Sequence, residues 1–364
     1  MLVLSEMTPD TLAGLVPEAT LTEARRILSR VHRGLSIERG FTGVRTSALN
    51  AVRAKGELRS LGIHEERRSA LDPFVKYTLL THDDARIETV RIPLEKKQRH
   101  SACVSSQVGC ALGCTFCKTG TMGLVRNLRA WEIIDQVRVV REGIAKDGNG
   151  GRVHGVVFQG MGEPLANLAE VLTAISVMCE PSALAIDARA ITVCTSGLPS
   201  GILRLAREAP RVRLGWSIAS ARRDVRRRLM PIDDKHALDD VLMAVCEHAR
   251  VTENVPMWAV TLLSGVNDTE EDAHALGDLA ARFTKETGMR PRVSIVPYNP
   301  IDDDPEMPHY QRSSDERETA YFLALRTRGV FAHKRYSGGS DVGAACGQLA
   351  TASVSARAPG ARCS

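Results

Sequence analysis

Aromatic residues are scarce in this chain: Phe, Trp and Tyr make up 4% of its 364 residues. A surface that grips bases by ring stacking would have few rings to use. No run of about 18 apolar residues occurs, so no membrane-spanning helix is expected. The opening MLVLSEMTPDTL brings in acids early and lacks a basic start before a long apolar core, so it does not read as a secretory signal. Internal repeats and low-complexity core segments are also missing. Nine cysteines without a secretory signal point to a reducing, cytoplasmic compartment, where thiols serve metal or redox chemistry rather than a disulfide framework.

What is present is ordinary in bulk. Hydrophobic residues make up 43% and charged residues 25%, enough for one large or two modest domains with a real core. The formal net charge of +5 suits a polyanionic partner, but equally suits mere solubility.

Residues 1–70 read as a small helical accessory domain. In TLTEARRILSRVHRGLS, Thr22 is the expected N-cap, with Ala24, Ile27, Leu28 and Val31 on one face. A second apolar stripe is expected through Leu49, Val52, Leu58 and Leu61. Arg25, Arg26, Arg30 and Arg33 crowd one helix, either as a solvated face or as phosphate contacts. From Leu71 the period changes. FVKYTLLTHDDARIETVRIP alternates β-formers around His82-Asp83-Asp84 and predicts a β-hairpin. After an amphipathic helix in LRAWEIIDQVRVVREGIA, strands (GVVF, AITVCT, VRLGWS, VPMWAVTLL, RVSIVPYN) alternate with helices. That alternation predicts an α/β fold with a parallel sheet, closing as a partial or full (β/α) barrel over 71–349. The tail from 350 to 364 is small and polar and is expected to be disordered. Trp131, Trp216 and Trp258 are expected in the core, as are Cys179 and Cys246.

The chemistry concentrates in CVSSQVGCALGCTFCK, residues 103–118. Cys110, Cys114 and Cys117 stand as C-x-x-x-C-x-x-C, three thiols within eight residues. Four thiols would close a zinc or a fully ligated cluster; three leave one iron of a 4Fe-4S cube open to another ligand. A structural zinc completed by His100, Cys103 or a distant cysteine is the alternative. Position favours the cluster, because GMGEP (160–164) follows at the end of the next strand, where a glycine turn exposes backbone to a ligand.

These motifs resemble those of radical S-adenosylmethionine enzymes. CVSSQVGCALGCTFC, RNL (126–128), MGEP, LMPI (229–232), GVND (265–268), VPYNP (296–300) and AACGQL (344–349) more narrowly resemble the RlmN/Cfr RNA methyltransferases. The resemblance runs from the N-terminal helices to Leu349. It implies a radical-SAM barrel in which Cys110, Cys114 and Cys117 hold a 4Fe-4S cluster, whose open iron binds S-adenosylmethionine. Gly162, Glu163, Cys194, Ser217 and Asn299 fall at cofactor-contact positions. Cys346 falls at the cysteine that is methylated by one cofactor molecule and then loses a hydrogen atom to a radical made from a second, two per turnover. Cys103 falls at the thiol that releases the product through a transient disulfide with Cys346. Glu88 matches the family's proton acceptor. The implied substrate is an RNA adenine, at carbon 2 in 23S ribosomal RNA or in transfer RNA, with carbon 8 as the alternative. Flavodoxin or ferredoxin is the implied electron donor, and a monomer is expected.

The residue types suit the reaction. An aromatic C–H of adenine is too weak an acid for base-assisted methyl transfer, and a radical on a sulfur-bound carbon avoids a carbanion. A covalent route then needs a second thiol to release the enzyme. Three segments depart from the family. Cys194-Thr195-Ser196-Gly197 replaces S-T-S-G, Ser217–Arg222 reads SIASAR for S-L-H-A-P-N, and Ser337–Asp341 reads SGGSD for T-R-G-D-D. Cofactor-edge and RNA contacts are expected to differ while the radical chemistry stays. After anaerobic reconstitution the protein is expected to carry about four irons with labile sulfide. Stoichiometric zinc by metal analysis would instead favour a metal-bearing RNA-binding protein without catalysis.

Overall fold

The computed structural model describes residues 1–96, 98–148, 150–301 and 309–350. The expected disordered tail beyond Ala350 lies outside the described residues. Near the N-terminus stand β1 (Leu2–Val3), α1 (Pro9–Leu15), α2 (Leu21–His32) and α3 (Thr46–Lys55). The α2 stripe is buried as expected through Ala24, Ile27, Leu28 and Val31. Its cap is Thr20 rather than Thr22. The Thr20 hydroxyl accepts from the Glu23 amide at 3.3 Å, and the Glu23 carboxylate accepts from the Thr20 amide at 2.9 Å. This reciprocal box fixes the start two residues earlier than expected.

The stripe through Leu58 and Leu61 is not formed. The helix stops at Lys55, and β2 (Gly56–Glu57) pairs in parallel with β1. Leu58 is exposed, and Leu61 joins a different apolar cluster from the one that runs from Leu4 to Val52.

Next come β3 (Gly62–Arg68), β4 (Val75–Leu80), β5 (Arg86–Pro93) and β6 (Arg99–Cys103), an antiparallel meander. The expected hairpin is β4–β5, with Asp84 left-handed at φ 61°. Strand β3 was invisible to apolar alternation because GIHEERR is an exposed outer edge, where charge discourages further pairing. After β6 the chain forms a ribbon of β7 (Gln107–Cys110) and β8 (Gly123–Asn127) with one helical turn between them, α4 (Lys118–Thr121). Helix α5 (Ala130–Lys146) then leads to β9 (Arg152–Phe158), which lies parallel to β6.

The run continues as α6 (Leu168–Cys179), β10 (Ile191–Thr195), α7 (Pro199–Glu208), β11 (Arg213–Ser217), α8 (Arg223–Leu229), α9 (Leu238–Thr252) and β12 (Met257–Leu262). It ends with α10 (Glu270–Thr287), β13 (Arg292–Pro297), α11 (Asp315–Thr327) and β14 (Ala332–Lys334). One ten-stranded sheet results, ordered β14-β13-β12-β11-β10-β9-β6-β5-β4-β3 and parallel from β14 to β6. It is an open α/β sheet, the partial form of the expected barrel. All parallel strands end on one side, and the cysteine loop is the first connection there. The tryptophans fill the core: Trp216 meets Trp258 edge-on at 5.2 Å, and Trp258 meets Phe283 at 5.5 Å.

The ribbon depends on glycine. Gly109 has φ +76°, and a β-carbon there would lie 1.9 Å from the Gly123 carbonyl oxygen. Gly123 is also left-handed, at φ +68°, but its missing side chain faces open space. Gly123→Ala should therefore cost about 1 kcal/mol, the left-handed penalty alone. Gly109→Ala should cost at least about 2 kcal/mol more, because backbone must also move. Melting of the two variants side by side tests the order.

Candidate active site

The segment between β6 and the cysteines is pinned by buried polar groups. Ser105 donates its amide to Gln136 Oε1 at 2.7 Å and its hydroxyl to the Glu88 carbonyl at 2.6 Å, while its Oγ accepts from the Met161 amide at 2.9 Å. Asn167 Nδ2 donates to the carbonyls of Ser106 and Leu128, each at 2.8 Å. Gln107 Oε1 accepts from the Glu163 amide at 2.8 Å. Gly162, at φ +95°, leaves no room for a β-carbon, which would sit 2.5 Å from Gln107 Cβ. GMGEP is thus laid directly against the start of the cysteine loop. Arg126 of RNL ties the β8 end to the helix and the hairpin, donating to Glu132 at 2.8 Å and to Asp83 at 2.7 Å.

Cys110 ends β7, and Cys114 and Cys117 follow in the loop. The loop is anchored on both flanks. The Thr115 amide donates to the Leu229 carbonyl of LMPI at 3.0 Å, and the Lys118 amide donates to the Gly347 carbonyl at 2.8 Å. Burial pushes all three thiols up, Cys110 to about 11, and each is pushed further by a neighbouring thiol. Among the described residues, no three His, Cys, Asp or Glu side chains are gathered to hold a single metal ion. The close donors here are soft thiols, the ligands of an iron–sulfur cube, where each cysteine binds its own iron.

Cys114 and Cys117 line a cavity of about 150 Å³, together with Gly162, Glu163, Cys194 and Ser217. Cys346 lines it too. Burial pushes the Glu163 carboxyl up, against the pull of the Ser196 amide at 2.9 Å and the Leu165 amide at 3.0 Å. Cys194 donates its thiol to Gln159 Oε1 at 3.8 Å, and burial pushes that thiol to about 12. Asn299 is not on the cavity wall. Its Nδ2 donates to Ser337 Oγ at 2.9 Å and to the Cys346 carbonyl at 3.2 Å.

Cys103 and Cys346, 243 positions apart in the chain, line one smaller cavity. Both are free thiols. Burial raises the Cys103 thiol most, and Cys346 and Cys194 raise it further. Glu88 faces a different, polar cavity of about 680 Å³ with Lys76 and Lys118. Its carboxylate pairs with Lys76 Nζ at 3.0 Å and accepts from the Ala350 amide at 3.0 Å. Burial still pushes Glu88 up.

Sequence reasoning passed over four residues that shape these cavities: Gln107, Gln159, Arg226 and Arg335. Gln159 had a signal, as a polar residue closing the apolar strand GVVF. Arg226 lay hidden in RRRL, yet it is fully buried. It donates to Asp233 at 3.0 Å, to the Ser196 carbonyl at 2.9 Å and to the Ile218 carbonyl.

This loop on this sheet defines a radical S-adenosylmethionine domain, and the Radical SAM superfamily pattern matches residues 104–276. The crystal structure of a radical SAM methyltransferase from Sphaerobacter thermophilus is similar, with a TM-score of 0.84 and 32% identity, over 96% of this chain and 99% of that one. A probable RNA methyltransferase of Sorangium cellulosum is 54% identical over 98% of this chain and 94% of its own. The dual-specificity RNA methyltransferase RlmN of Syntrophobacter fumaroxidans is 40% identical over 80% of this chain and 81% of its own. The chain belongs to the RlmN/Cfr family of radical S-adenosylmethionine RNA methyltransferases. Membership brings S-adenosylmethionine and an iron–sulfur cluster as cofactors.

Ser337 holds Cys346 in place. Its Oγ accepts from the Cys346 amide at 3.3 Å and from Asn299. Ser337→Ala should raise amide exchange across 344–349 by about tenfold, the effect of losing roughly 1.4 kcal/mol of local hydrogen bonding. Global melting should stay close to the parent. Hydrogen-exchange mass spectrometry reads both.

Proposed function

We propose that this chain methylates a ring carbon of an RNA adenine through an S-methylcysteine on Cys346. Carbon 2 of an adenosine in 23S ribosomal RNA is the primary target, and transfer RNA a second. The observation that carries this reading is the meeting of Cys103 and Cys346 in one cavity, with Cys346 also facing the cavity of Cys114 and Cys117. A thiol placed between two cavities can take a methyl group on one side and be released on the other.

Cys110, Cys114 and Cys117 would hold the cluster. When bound, the cluster and S-adenosylmethionine supply the methyl group and the one-electron chemistry that joins it to the ring carbon, two cofactor molecules per turnover. The chain's own residues do the rest. Gly162 lets the turn lie against Gln107, and Glu163, held by the Ser196 amide, would receive the cofactor's ammonium. Cys194 and Ser217 line the same wall. Asn299 acts through Cys346, whose carbonyl it holds.

The last step belongs to the two thiols. Once Cys346 is joined to the base by an S–CH₂ bond, the Cys103 thiolate bonds to the Cys346 sulfur. The S–CH₂ bond breaks, its electron pair stays on carbon, and that carbon takes one proton to become methyl. The two sulfurs together lose two electrons and the carbon gains two. Glu88, on the large polar cavity, is the proton acceptor for the ring hydrogen. A flavodoxin or ferredoxin is the electron source, and a cytoplasmic monomer is the working form.

Cys346→Ala should still cleave S-adenosylmethionine but transfer no methyl group to RNA. Mass spectrometry of RNA from cells with and without the gene should show one adenine losing a methyl group at carbon 2. A methyl group at carbon 8 would correct the position. Unchanged RNA, or full methylation by the Cys346→Ala enzyme, would sink the proposal.

A further inference from the structure

The cavity shared by Cys103 and Cys346 is lined mainly by apolar and small residues, among them Phe74, Ile92 and Val157. Arg335 alone among its described lining residues carries a charge. Among the described residues, no carboxylate lies within ion-pair distance of that guanidinium, although the chain forms many such pairs elsewhere. Its position is fixed: the Arg335 amide donates to the Ile295 carbonyl at 2.8 Å, and Nη1 donates to Gln159 Oε1 at 3.1 Å. A half-buried cation without an anion, held beside two thiols, needs a reason.

Strand register supplies the geometry. Cys103 on β6 is level with Val157 on β9, so Gln159, two residues on, faces the same side. Phe158 is level with Val193, which puts Cys194 beside Gln159 on that side too. Gln159 is the node: its side-chain oxygen takes Arg335 and Cys194, and its backbone lies beside Cys103. The ionisable groups facing Cys103 or lining its cavity are therefore Cys346 from the C-terminal loop, Cys194 from β10, and Arg335 and Tyr336 from the segment after β14, the Tyr336 hydroxyl donating to Asp72 at 2.9 Å.

We propose that Arg335, held by Gln159, is a positioning residue that stabilises negative charge on Cys103 as that thiol attacks to release methylated RNA. The proposal rests on Cys103 being the releasing thiol. A thiol attacks sulfur only when deprotonated, and an apolar pocket holds it protonated unless a cation compensates. Burial still holds the Cys103 thiol above its ordinary range, and Arg335 pulls against that, as it does at the neighbouring Cys194 thiol. The disulfide left behind is then reduced by an external dithiol.

Reconstituted Arg335→Met enzyme should cleave S-adenosylmethionine and methylate Cys346 normally, yet retain the covalent RNA adduct on denaturing gels. Product release at neutral pH should slow by about tenfold or more, recover at mildly alkaline pH, and recover largely with Arg335→Lys. A second readout needs no turnover. In RNA-free protein, the pH profile for modification of Cys103 by methyl methanethiosulfonate should move up by about one unit in Arg335→Met. Cys103→Ala is the control, and should trap the adduct at every pH. If it releases product normally, the reading of Cys103 fails and this proposal falls with it. If Cys103→Ala traps adduct but Arg335→Met leaves both release and the thiol profile unchanged, Arg335 alone is refuted. A raised KM for RNA without adduct would likewise refute it, in favour of a phosphate contact.

Discussion

The contact between Gly162 and Gln107 is what the rest of the site depends on. The turn after β9 lies flat on the start of the cysteine loop because Gly162 has no side chain, and Gln107 Oε1 receives the Glu163 amide there. Two loops far apart in sequence are locked in register by one absent methyl group and one hydrogen bond. Glu163, Ser196 and the Cys114–Cys117 arc take their places relative to that contact. Ser105 and Asn167 close the same joint with buried hydrogen bonds, so the glycine turn and the cysteine loop are parts of one rigid piece.

Burial governs the charge of this region. The thiols of Cys103, Cys110, Cys114 and Cys194 and the carboxyls of Glu88 and Glu163 are all pushed up by loss of water. The pocket of the protein alone is thus poor in negative charge. Arg226, whose three donors are spent on Asp233 and two carbonyls, is structural. Half-buried Arg335 has no such set of partners, which separates it from Arg226 by role.

Much of this was legible in the sequence. The alternation from GVVF to RVSIVPYN gave the parallel sheet, because buried strands and amphipathic helices write different periods. The cysteine spacing and GMGEP located the site, since close ligand spacing and a glycine turn are local properties. Strand β3 was missed because an edge strand with charges on both faces has no apolar alternation to read. The β7–β8 ribbon was hidden inside the cysteine motif, and the second stripe was overextended because Gly56 breaks α3 before Leu58. Arg335 and Gln159 were invisible as a pair: their meeting depends on strand register across β6, β9 and the C-terminal segment, which no local pattern encodes. Asn299 carried a motif, but its structural neighbour, Cys346, could be known only from the fold.

The C-terminal segment is stitched to the cysteine loop at two points. The Lys118 amide donates to Gly347, and the Thr119 hydroxyl donates to Leu349. Binding energy gained at either end of that seam is shared with the other by thermodynamic reciprocity. Whatever orders Cys114–Cys117 therefore also orders Cys346, and loss of the one frays the other. The aim of the Cys346 side chain is therefore a property of the cysteine loop as much as of its own segment.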